Sequence, residues 1–310
     1  MFLQKEKILI TGCSGLVGSY FLRELETCGA ELYATQGESK VDCDPTRIIN
    51  INLTNTETFF EELQRLKPSV IVNLAAYTDV DGCETDRIRA RILNADLVSV
   101  ISNYALKNNK SYVLHVSTEY VFDGKIGNYL ENSEPNPINW YGASKLLGEK
   151  EIITKIPAGQ WCIARISTPF GIHNKKQSFP IFVISNLATK KRISVLDDQY
   201  TTPIYAKTLA KMLKELLEKT FTGVIHIASR NGISRFEQAL KVAQMFGLDA
   251  NLINRVSMNE MNWKASRPRF STLNVTAANR ILYNKPPEFE ADLLCLHAEI
   301  KENDLNSIHT

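Results

Sequence analysis

The sequence lacks any cysteine or histidine spacing that is typical of a metal site. Six cysteines are scattered through 310 residues without a CxxC or CxxH pattern, and the five histidines show no ligand spacing. In a chain of this length, such cysteines are typical of free thiols in a reducing compartment and not of a disulfide framework. We therefore expect no metal site and a cytoplasmic location.

Long apolar runs and an excess of one charge are also missing. No apolar stretch approaches the roughly 18 residues that span a bilayer, and the apolar run that begins at Lys7 is too short for a secretory core. The chain carries 36 basic and 34 acidic residues, for a net charge of +2, without a basic stripe. These absences argue against a membrane partner and against a nucleic-acid partner.

What the sequence does contain is a large apolar fraction, 44%, in strands that alternate with helices. Apolar runs such as KILIT, SVIVNL, SYVLHV and WCIARI are separated by helical patterns, among them one from Leu16 to Cys28 and one from Asp86 to Lys107. A capping box that begins at Thr54 predicts a further helix start. The alternation predicts an α/β fold, a Rossmann-like doubly wound parallel sheet.

The pattern loosens after about Ser167, where the segments become shorter and more mixed. We therefore predict a dinucleotide-binding domain over residues 1–166. A return segment near 200–230 is expected to add the strand in GVIHIAS to the same sheet. Residues 167–199 and 231–310 are expected to form a smaller C-terminal substrate-binding lobe.

A glycine-rich loop, TGCSGLVG, follows the first strand and opens the first helix. Its glycines are Gly12, Gly15 and Gly18. Glycine permits the tight turn and lets the backbone approach a pyrophosphate, which the N-terminus of a helix favours electrostatically. In this strand–loop–helix context the loop predicts dinucleotide binding. The alternative is a glycine turn that only packs the helix on the sheet.

The end of the second strand indicates which dinucleotide binds. An enzyme that uses NAD usually has an acidic residue there, but this chain has Thr35 and Gln36, with Glu38 further on. Lys40 or Arg47 could contact a 2′-phosphate. We therefore expect NADP(H), with NAD(H) as the alternative.

Candidate catalytic residues follow the next strands. Ligands of such sheets bind at the carboxyl ends of the strands. One strand ends in Ala75 and Ala76, which are small enough to let a cofactor pass, and the next ends in Ser117 and Thr118. Either of these two hydroxyl groups could hydrogen-bond the carbonyl oxygen of a substrate.

A tyrosine and a lysine come next, in YGASK at the start of a predicted helix. Residues four apart share a helix face, so Lys145 is expected to lie beside Tyr141. A nearby ammonium is expected to lower the pKa of the phenol and make Tyr141 a usable acid. A surface pair of no catalytic importance is the alternative, since this spacing is common by chance.

Taken together, these stretches resemble an extended short-chain dehydrogenase/reductase, and more narrowly the dTDP-4-dehydrorhamnose reductase family. The resemblance runs from residue 7 to about residue 274. It rests on the stretches TGCSGLVG, VNLAAYTDVDGCE, LNAD, HVSTEYVFDG, YGASKLLGE, QYTTPIYAKTLA and RPRFSTL. It implies an NAD(P)-dependent oxidoreductase that reduces a nucleotide-linked 4-keto sugar in deoxysugar or surface-polysaccharide biosynthesis, and it is compatible with a homodimer.

The resemblance also implies roles for particular residues. Thr118, Tyr141 and Lys145 are implied to be catalytic, and Asn94 to support the active-site helix or a water relay. The residues implied to bind the cofactor are Gly12, Ser14, Gly15, Leu16, Val17, Asn52, Leu53, Ala75, Ala76, Tyr77, Asn94, Tyr141, Lys145 and Ser167. The residues implied to bind the substrate are Thr118, Glu119, Tyr120, Thr168 and Arg267, the last through its nucleotide diphosphate.

Two positions depart from the family pattern. Asn52 stands where the family usually has aspartate, and an amide can still serve there. Thr168 and the residues after it stand where the family usually has an aromatic residue, often tryptophan. Loss of a large ring would reshape the sugar site, so the identity of the sugar stays open.

Two other functions remain compatible with the sequence. The regulatory subunit of methionine adenosyltransferase resembles the same family and carries similar motifs, so a cofactor-binding regulatory subunit is one alternative. A nucleotide-sugar epimerase or dehydratase is the other, but such enzymes keep NAD bound and need further acid–base residues.

Overall fold

Seven parallel strands form the central sheet of the protein. The computed structural model describes residues 3–37, 40–41, 47–108, 111–174 and 177–308, with side chains described as far as residue 303. The strands of this sheet are β1 (Lys7–Thr11), β2 (Glu31–Gln36), β3 (Ile48–Asn50), β4 (Val70–Asn73), β5 (Tyr112–Thr118), β6 (Trp161–Ile166) and β9 (Gly223–Ile227). Across the sheet they lie in the order β3-β2-β1-β4-β5-β6-β9.

Helices cover both faces of the sheet. The helices are α1 (Leu16–Leu25), α2 (Thr56–Leu66), α3 (Val80–Thr85), α4 (Arg87–Arg91), α5 (Leu97–Lys107), α6 (Trp140–Lys155), α7 (Phe179–Ala188), α8 (Ala206–Glu218), α9 (Arg235–Met245), α10 (Thr276–Ile281) and α11 (Phe289–Ile308). Because side chains alternate along a strand, Ile8 and Ile10 join one buried cluster and Leu9 the other. The predicted doubly wound parallel sheet is confirmed.

The order of the strands reverses at β1, which pairs with β2 on one side and β4 on the other. The chain builds outward from β1 to β3 and then returns to continue through β4, β5 and β6. In open parallel sheets such a reversal leaves a crevice at the carboxyl ends of the strands, where ligands bind. The glycine loop after β1 therefore lies at the crevice that the topology creates.

Some helix boundaries differ from those predicted. The expected helix from Asp86 to Lys107 consists of α4, a π-helical segment (Ile92–Asp96) and α5. The predicted capping box at Thr54 is wrong: Asn55 is the N-cap of α2, and its Oδ1 accepts from the amide of Thr58 at 3.1 Å. Thr54 instead donates to Asn52, so two adjacent capping residues compete and the helix begins one residue later.

Short two-stranded pairs organise the C-terminal part of the described chain. β7 (Ile193–Leu196) pairs in parallel with β11 (Ile253–Val256), and β8 (Tyr200–Thr201) pairs antiparallel with β10 (Ile233–Ser234). β9 joins the main sheet beside β6, as predicted. No helix of the described chain is long and apolar enough to cross a membrane.

Candidate active site

A cavity of about 1090 Å³ lies at the carboxyl ends of the strands and contains most of the predicted site residues. The predicted residues that line it are Gly12, Ser14, Gly15, Leu16, Val17, Asn52, Leu53, Ala75, Ala76, Thr118, Glu119, Tyr120, Tyr141, Lys145 and Thr168. Four predicted residues are not among its lining residues: Tyr77, Asn94, Ser167 and Arg267. The cavity is continuous from the glycine loop to the predicted catalytic residues.

The three glycines of the loop serve different purposes. Gly12 has a φ of +75°, and a Cβ there would lie 2.6 Å from the backbone of Ala75. A Cβ on Gly18 would lie 2.2 Å from the carbonyl oxygen of Gly12. Beyond its chain neighbours, the nearest described heavy atom to a Cβ on Gly15 would be that same oxygen, at 3.3 Å. Packing therefore requires Gly12 and Gly18, whereas Gly15 keeps the cavity open to a ligand.

The first turn of α1 fits a phosphate group. Its N-cap is Gly15, which has no side chain to accept from the amides of the turn, and no acidic residue lies in that turn. Unpaired amides and the helix dipole favour an anion at such an end. The residues present thus fit the pyrophosphate of a dinucleotide.

At the end of β2, the described part of the chain places Thr35 and Gln36 on the cavity wall and no carboxylate. The Gln36 amide nitrogen donates to Asn50 at 3.0 Å, and its oxygen accepts from the amide of Val41 at 2.7 Å. Lys40 and Arg47 do not line the cavity. Glu38 lies outside the described residues.

Three elements bring the predicted catalytic residues together. Thr118 is the last residue of β5, and Tyr141 and Lys145 lie on the first two turns of α6. Asn139 caps α6 by accepting from the amide of Gly142 at 2.8 Å. Lys145 Nζ donates to the carbonyl of Val116 at 2.8 Å. The spacing of Tyr141 and Lys145 therefore places both side chains on the cavity wall.

The pKa of Tyr141 is raised, and the predicted lowering by Lys145 is wrong for this structure. Burial raises the pKa of the phenol above its usual value, while a hydrogen bond with Thr118 opposes the rise and the nearby Glu119 adds to it. Burial also lowers the pKa of Lys145 to about 8. The Lys145 amine is held by Val116, and no hydrogen bond joins it to Tyr141 among the described contacts.

Glu119 is a buried carboxyl group on the cavity wall. Its exposed fraction is 2%, and burial raises its pKa to about 7. Oε2 accepts from the hydroxyl of Thr118 at 3.0 Å, whereas Oε1 has no hydrogen-bond partner in the described structure. An unpaired buried oxygen beside a cavity is suited to accept a hydrogen bond from a ligand.

Arg235 lines the cavity and was missed by the sequence analysis. It is the first residue of α9, and its guanidinium lies 4.9 Å from the ring centre of Phe179. A capping box of Ser234 and Glu237 in the sequence marks this helix start. That signal could have located the arginine, but only the tertiary structure brings it to the cavity.

Arg267 is not a cavity residue, so its predicted role with the substrate is not supported. Its guanidinium makes two hydrogen bonds to Asp81, at 2.9 and 3.1 Å, and a third to the carbonyl of Ala265 at 2.8 Å. The paired arginine joins the C-terminal part of the chain to α3. Its fork geometry is already used by a carboxylate.

Asn94 and two other predicted residues support the site from behind. The Asn94 amide donates to the carbonyl of Tyr77 at 3.1 Å and to the hydroxyl of Ser144 at 2.9 Å, and it accepts from the amide of Tyr77 at 2.8 Å. It thus ties the loop after β4 to the active-site helix α6. Ser167 accepts from the amide of Thr202 at 3.2 Å and is fully buried.

Thr168 lines the cavity in a strained conformation. Its φ is +32°, a region that residues with a side chain rarely adopt, and its buried hydroxyl has no hydrogen-bond partner in the described structure. Backbone strain of this kind is often retained at ligand sites. The position where the resemblance implies an aromatic residue therefore presents a small hydroxyl group.

The crevice topology, the phosphate-binding turn and the tyrosine–lysine helix define an oxidoreductase of the extended short-chain dehydrogenase/reductase class. The family model described as RmlD substrate binding domain matches residues 6–301. The chain belongs to this family, which confirms the family that its motifs predicted.

Several known proteins are similar to nearly the whole chain. A probable low-salt glycan biosynthesis reductase of Haloferax volcanii is 33% identical over 303 residues, 94% of this chain and 98% of the relative. The crystal structure of a hypothetical dTDP-4-dehydrorhamnose reductase from Sulfolobus tokodaii is 36% identical, with a TM-score of 0.83 over 93% of this chain and 98% of that one. A dTDP-4-dehydrorhamnose reductase of Bacillus anthracis in complex with NADP is 27% identical, with a TM-score of 0.84 over 96% and 100%.

A protein from the alternative class is similar as well. Methionine adenosyltransferase 2 subunit beta of Danio rerio is 26% identical over 278 residues, which cover 86% of this chain and 82% of that protein. Similarity to this family therefore extends to a protein that is named as a subunit and not as a reductase.

Proposed function

We propose that the protein is an NADPH-dependent reductase of a nucleotide-linked 4-keto sugar, which acts in the cytoplasm in deoxysugar or surface-polysaccharide biosynthesis. One observation carries the proposal: Thr118, Tyr141 and Lys145 line the same cavity as the glycine loop. The relatives support it, since proteins named as a dTDP-4-dehydrorhamnose reductase and as a glycan biosynthesis reductase match nearly the whole chain.

The cofactor half of the cavity would hold NADP(H), with NAD(H) as the alternative. The turn at Gly15 would receive the pyrophosphate, and Asn52 and Leu53 would lie beside the adenine. Among the described residues, Thr35 and Gln36 line the cavity at the end of β2 and no carboxylate does, which favours NADP(H), as does the NADP complex of the relative from B. anthracis. When bound, the cofactor supplies the hydride.

Tyr141 would supply the proton. The raised pKa of its phenol keeps the proton in place at neutral pH, and an oxygen that gains negative charge as hydride arrives is a strong enough base to take it. The hydroxyl of Thr118 donates to Glu119 Oε2 in the structure and would turn to donate a second hydrogen bond to the same oxygen when the substrate binds. Hydrogen bonds to a developing negative charge are strong in a site that excludes water.

Arg235 takes the role that the resemblance implied for Arg267. It is an arginine of the cavity wall, and a guanidinium matches the geometry of a diphosphate. Glu119 would accept a hydrogen bond from a sugar hydroxyl through its unpaired Oε1. Thr168, which is smaller than the aromatic residue that the resemblance implies there, would leave more room for the sugar.

The decisive experiment is NADPH oxidation by the purified protein with dTDP-, UDP-, GDP- and CDP-linked 4-keto sugars, with NADH in parallel. We expect turnover with one of these bases and a preference for NADPH. NADPH binding without turnover on any substrate would contradict the reductase proposal.

A cofactor-binding regulatory subunit is the second candidate. The similarity to the beta subunit of methionine adenosyltransferase favours it. In that case the protein would bind NADP(H) and co-purify with a synthetase, whereas a reductase would be active alone, for example as a homodimer. An epimerase or dehydratase would instead retain NAD through purification and would not consume NADPH.

A further inference from the structure

A chain of buried hydrogen bonds leads from the cofactor strands to the catalytic lysine. The amide of Ala75 donates to Thr11 Oγ1 at 3.2 Å, and that hydroxyl donates to Asn73 Oδ1 at 2.6 Å. The Asn73 amide nitrogen lies 2.9 Å from His115 Nδ1, and His115 Nε2 lies 3.3 Å from Lys145 Nζ. The side chains of this chain come from β1, β4, β5 and α6.

The direction of these hydrogen bonds follows from the first donor. A backbone amide can only donate, so Thr11 accepts from Ala75 and its own proton points to Asn73 Oδ1. The opposite orientation of the Asn73 amide would leave that buried hydroxyl proton without its acceptor. Asn73 therefore donates its N–H to His115.

This direction determines the tautomer of His115. The ring is fully buried, and burial together with the nearby Lys145 lowers its pKa well below the usual value, so it is neutral. Because Nδ1 accepts from Asn73, the single ring proton lies on Nε2, the nitrogen that faces Lys145. An amine can accept that N–H, whereas an ammonium cannot.

Two other titratable groups flank Lys145 on α6. Glu149 follows one turn later on α6 and favours the ammonium, but its carboxylate is paired with Arg165 of β6 at 2.7 Å. Tyr141 lies one turn earlier on the same helix. His115 of β5 thus supplies the N–H that opposes the charge of the lysine.

We propose that His115 is a positioning residue for the reaction, because the directed chain of hydrogen bonds presents its Nε2–H to Lys145 and favours the amine over the ammonium. The inference rests on the proposed reductase function, in which Lys145 lies in the catalytic centre. His115 lies outside the cavity wall, yet in this proposal it controls the charge of Lys145 in the catalytic centre. The ammonium of Lys145 would favour the phenolate that Tyr141 becomes when it gives up its proton, so kcat should fall as Lys145 loses its own proton. His115 would lower the pH at which this loss occurs.

The tautomer is tested without any substrate by nitrogen-15 NMR of the histidine rings. We expect the ring proton of His115 on Nε2. His226 is an internal control: it is fully buried on β9, but its Nδ1 lies 3.2 Å from the carbonyl of Asn274 and must donate to it. The two histidines should therefore show opposite tautomers. A proton on Nδ1 of His115 would overturn the proposal.

Two variants separate the two contacts of the ring. His115→Asn places an amide near the position of Nδ1 and keeps a partner for Asn73, but it removes the donor to Lys145. His115→Gln places an amide near the position of Nε2 and can still donate to Lys145. With the reductase substrate, the alkaline limb of the kcat profile should move upward by about one pH unit in His115→Asn and stay near that of the wild type in His115→Gln.

His226→Asn controls for the loss of a buried imidazole. It should lower the melting temperature without moving the pH profile. Equal profiles in His115→Asn and the wild type, or an equal upward shift in His226→Asn, would overturn the proposal. Absence of turnover in the wild-type protein would contradict the reductase function instead, and carbon-13 NMR titration of the Lys145 ε-carbon would then measure the same shift.

Discussion

The part of the chain from β1 to β6 differs from the part after β6 in how far apart in sequence its contacting residues lie. Between β1 and β6, the candidate residues other than Asn94 lie near the end of a strand or the start of the next helix, where the order of elements places them. After β6, β7 pairs with β11 some 60 residues later, and Arg235 reaches the cavity from the start of α9. Local patterns therefore locate sites in the first part, whereas long-range pairing decides them in the second.

Arg267 and Arg235 illustrate how residue type and position can disagree in the part of the chain after β6. Arg267 has the residue type and the motif of a diphosphate ligand, yet Asp81 binds it. Arg235 has no recognised motif, yet it lines the cavity. Residue type alone is a reliable guide only where the backbone around it is already determined by the sheet.

The largest expected effect tests the part of the site that the sequence located. Tyr141→Phe removes the proton donor but keeps the ring, so reduction should fall by about 1000-fold or more while NADPH binding is retained. Steady-state kinetics with the identified sugar nucleotide and fluorescence titration of NADPH would measure both. Retained turnover in the variant would rule out the proposed acid.

Tyr120→Phe is the matched control for that variant. Tyr120 lines the same cavity, and its ring centre lies 5.5 Å from that of Tyr141 in an edge-to-face arrangement. Its hydroxyl has no proposed role in proton transfer, so the rate should fall by less than about tenfold. Equal losses in the two variants would mean that packing, and not the proton, explains the effect of Tyr141→Phe.

A second prediction separates the glycines of the loop. Gly18→Ala should cost several kcal/mol of unfolding free energy, about 3 or more, because its Cβ would overlap the carbonyl of Gly12. Gly15→Ala should leave the melting temperature within a few degrees of the wild type but weaken NADPH binding about tenfold or more, since its Cβ occupies the approach of the ligand. Thermal unfolding and NADPH titration test the two halves of this prediction. A large stability loss in Gly15→Ala would contradict it.

A third prediction sharpens the comparison of the two arginines. Arg235→Ala should raise the KM for the nucleotide sugar by about tenfold to 100-fold, because a charge that faces the diphosphate is lost. Arg267→Ala should instead lower stability by about 1–2 kcal/mol, because it removes two hydrogen bonds to Asp81, which keeps the amide of Ala265 as a partner. Kinetics and thermal unfolding of both variants decide between these roles. A raised KM in Arg267→Ala together with a lowered stability in Arg235→Ala would instead support the prediction that Arg267 binds the substrate.

The last prediction concerns the dependence of stability on pH and Glu119. Its pKa is raised from 4.5 to about 7 by burial, so the folded state binds its proton more tightly than the unfolded state. The unfolding free energy should therefore fall as pH rises from about 4.5 to 7, by roughly 2–3 kcal/mol at most. Glu119→Gln should flatten this slope.

Denaturant unfolding at several pH values would measure this dependence of the unfolding free energy on pH. Asp292 offers a comparison in the C-terminal part: burial raises its pKa to about 6, so its own loss of stability falls in a lower pH window, which Glu119→Gln should leave in place. An unchanged slope between pH 4.5 and 7 in Glu119→Gln would show that Glu119 does not titrate there.

Much of the fold was predictable because strand and helix periods are local properties. The sheet, its parallel order and the glycine loop follow from apolar runs and from the residues between them. Helix boundaries were less predictable from the sequence, because Thr54 and Asn55 are both good capping residues and only the backbone geometry selects Asn55. The π-helical segment that carries Asn94 has no separate sequence signal that was recognised.

The sequence by itself determined the kind of site: a dinucleotide loop at a strand crossover, followed by a threonine and a tyrosine–lysine helix. Tertiary structure alone decided the charges within it. Burial raises the pKa of Tyr141 and lowers that of Lys145, whereas the sequence predicted that the lysine would lower the pKa of the tyrosine. The reason is physical: spacing along a helix specifies which side chains are neighbours, but desolvation and hydrogen-bond direction depend on every element packed around them.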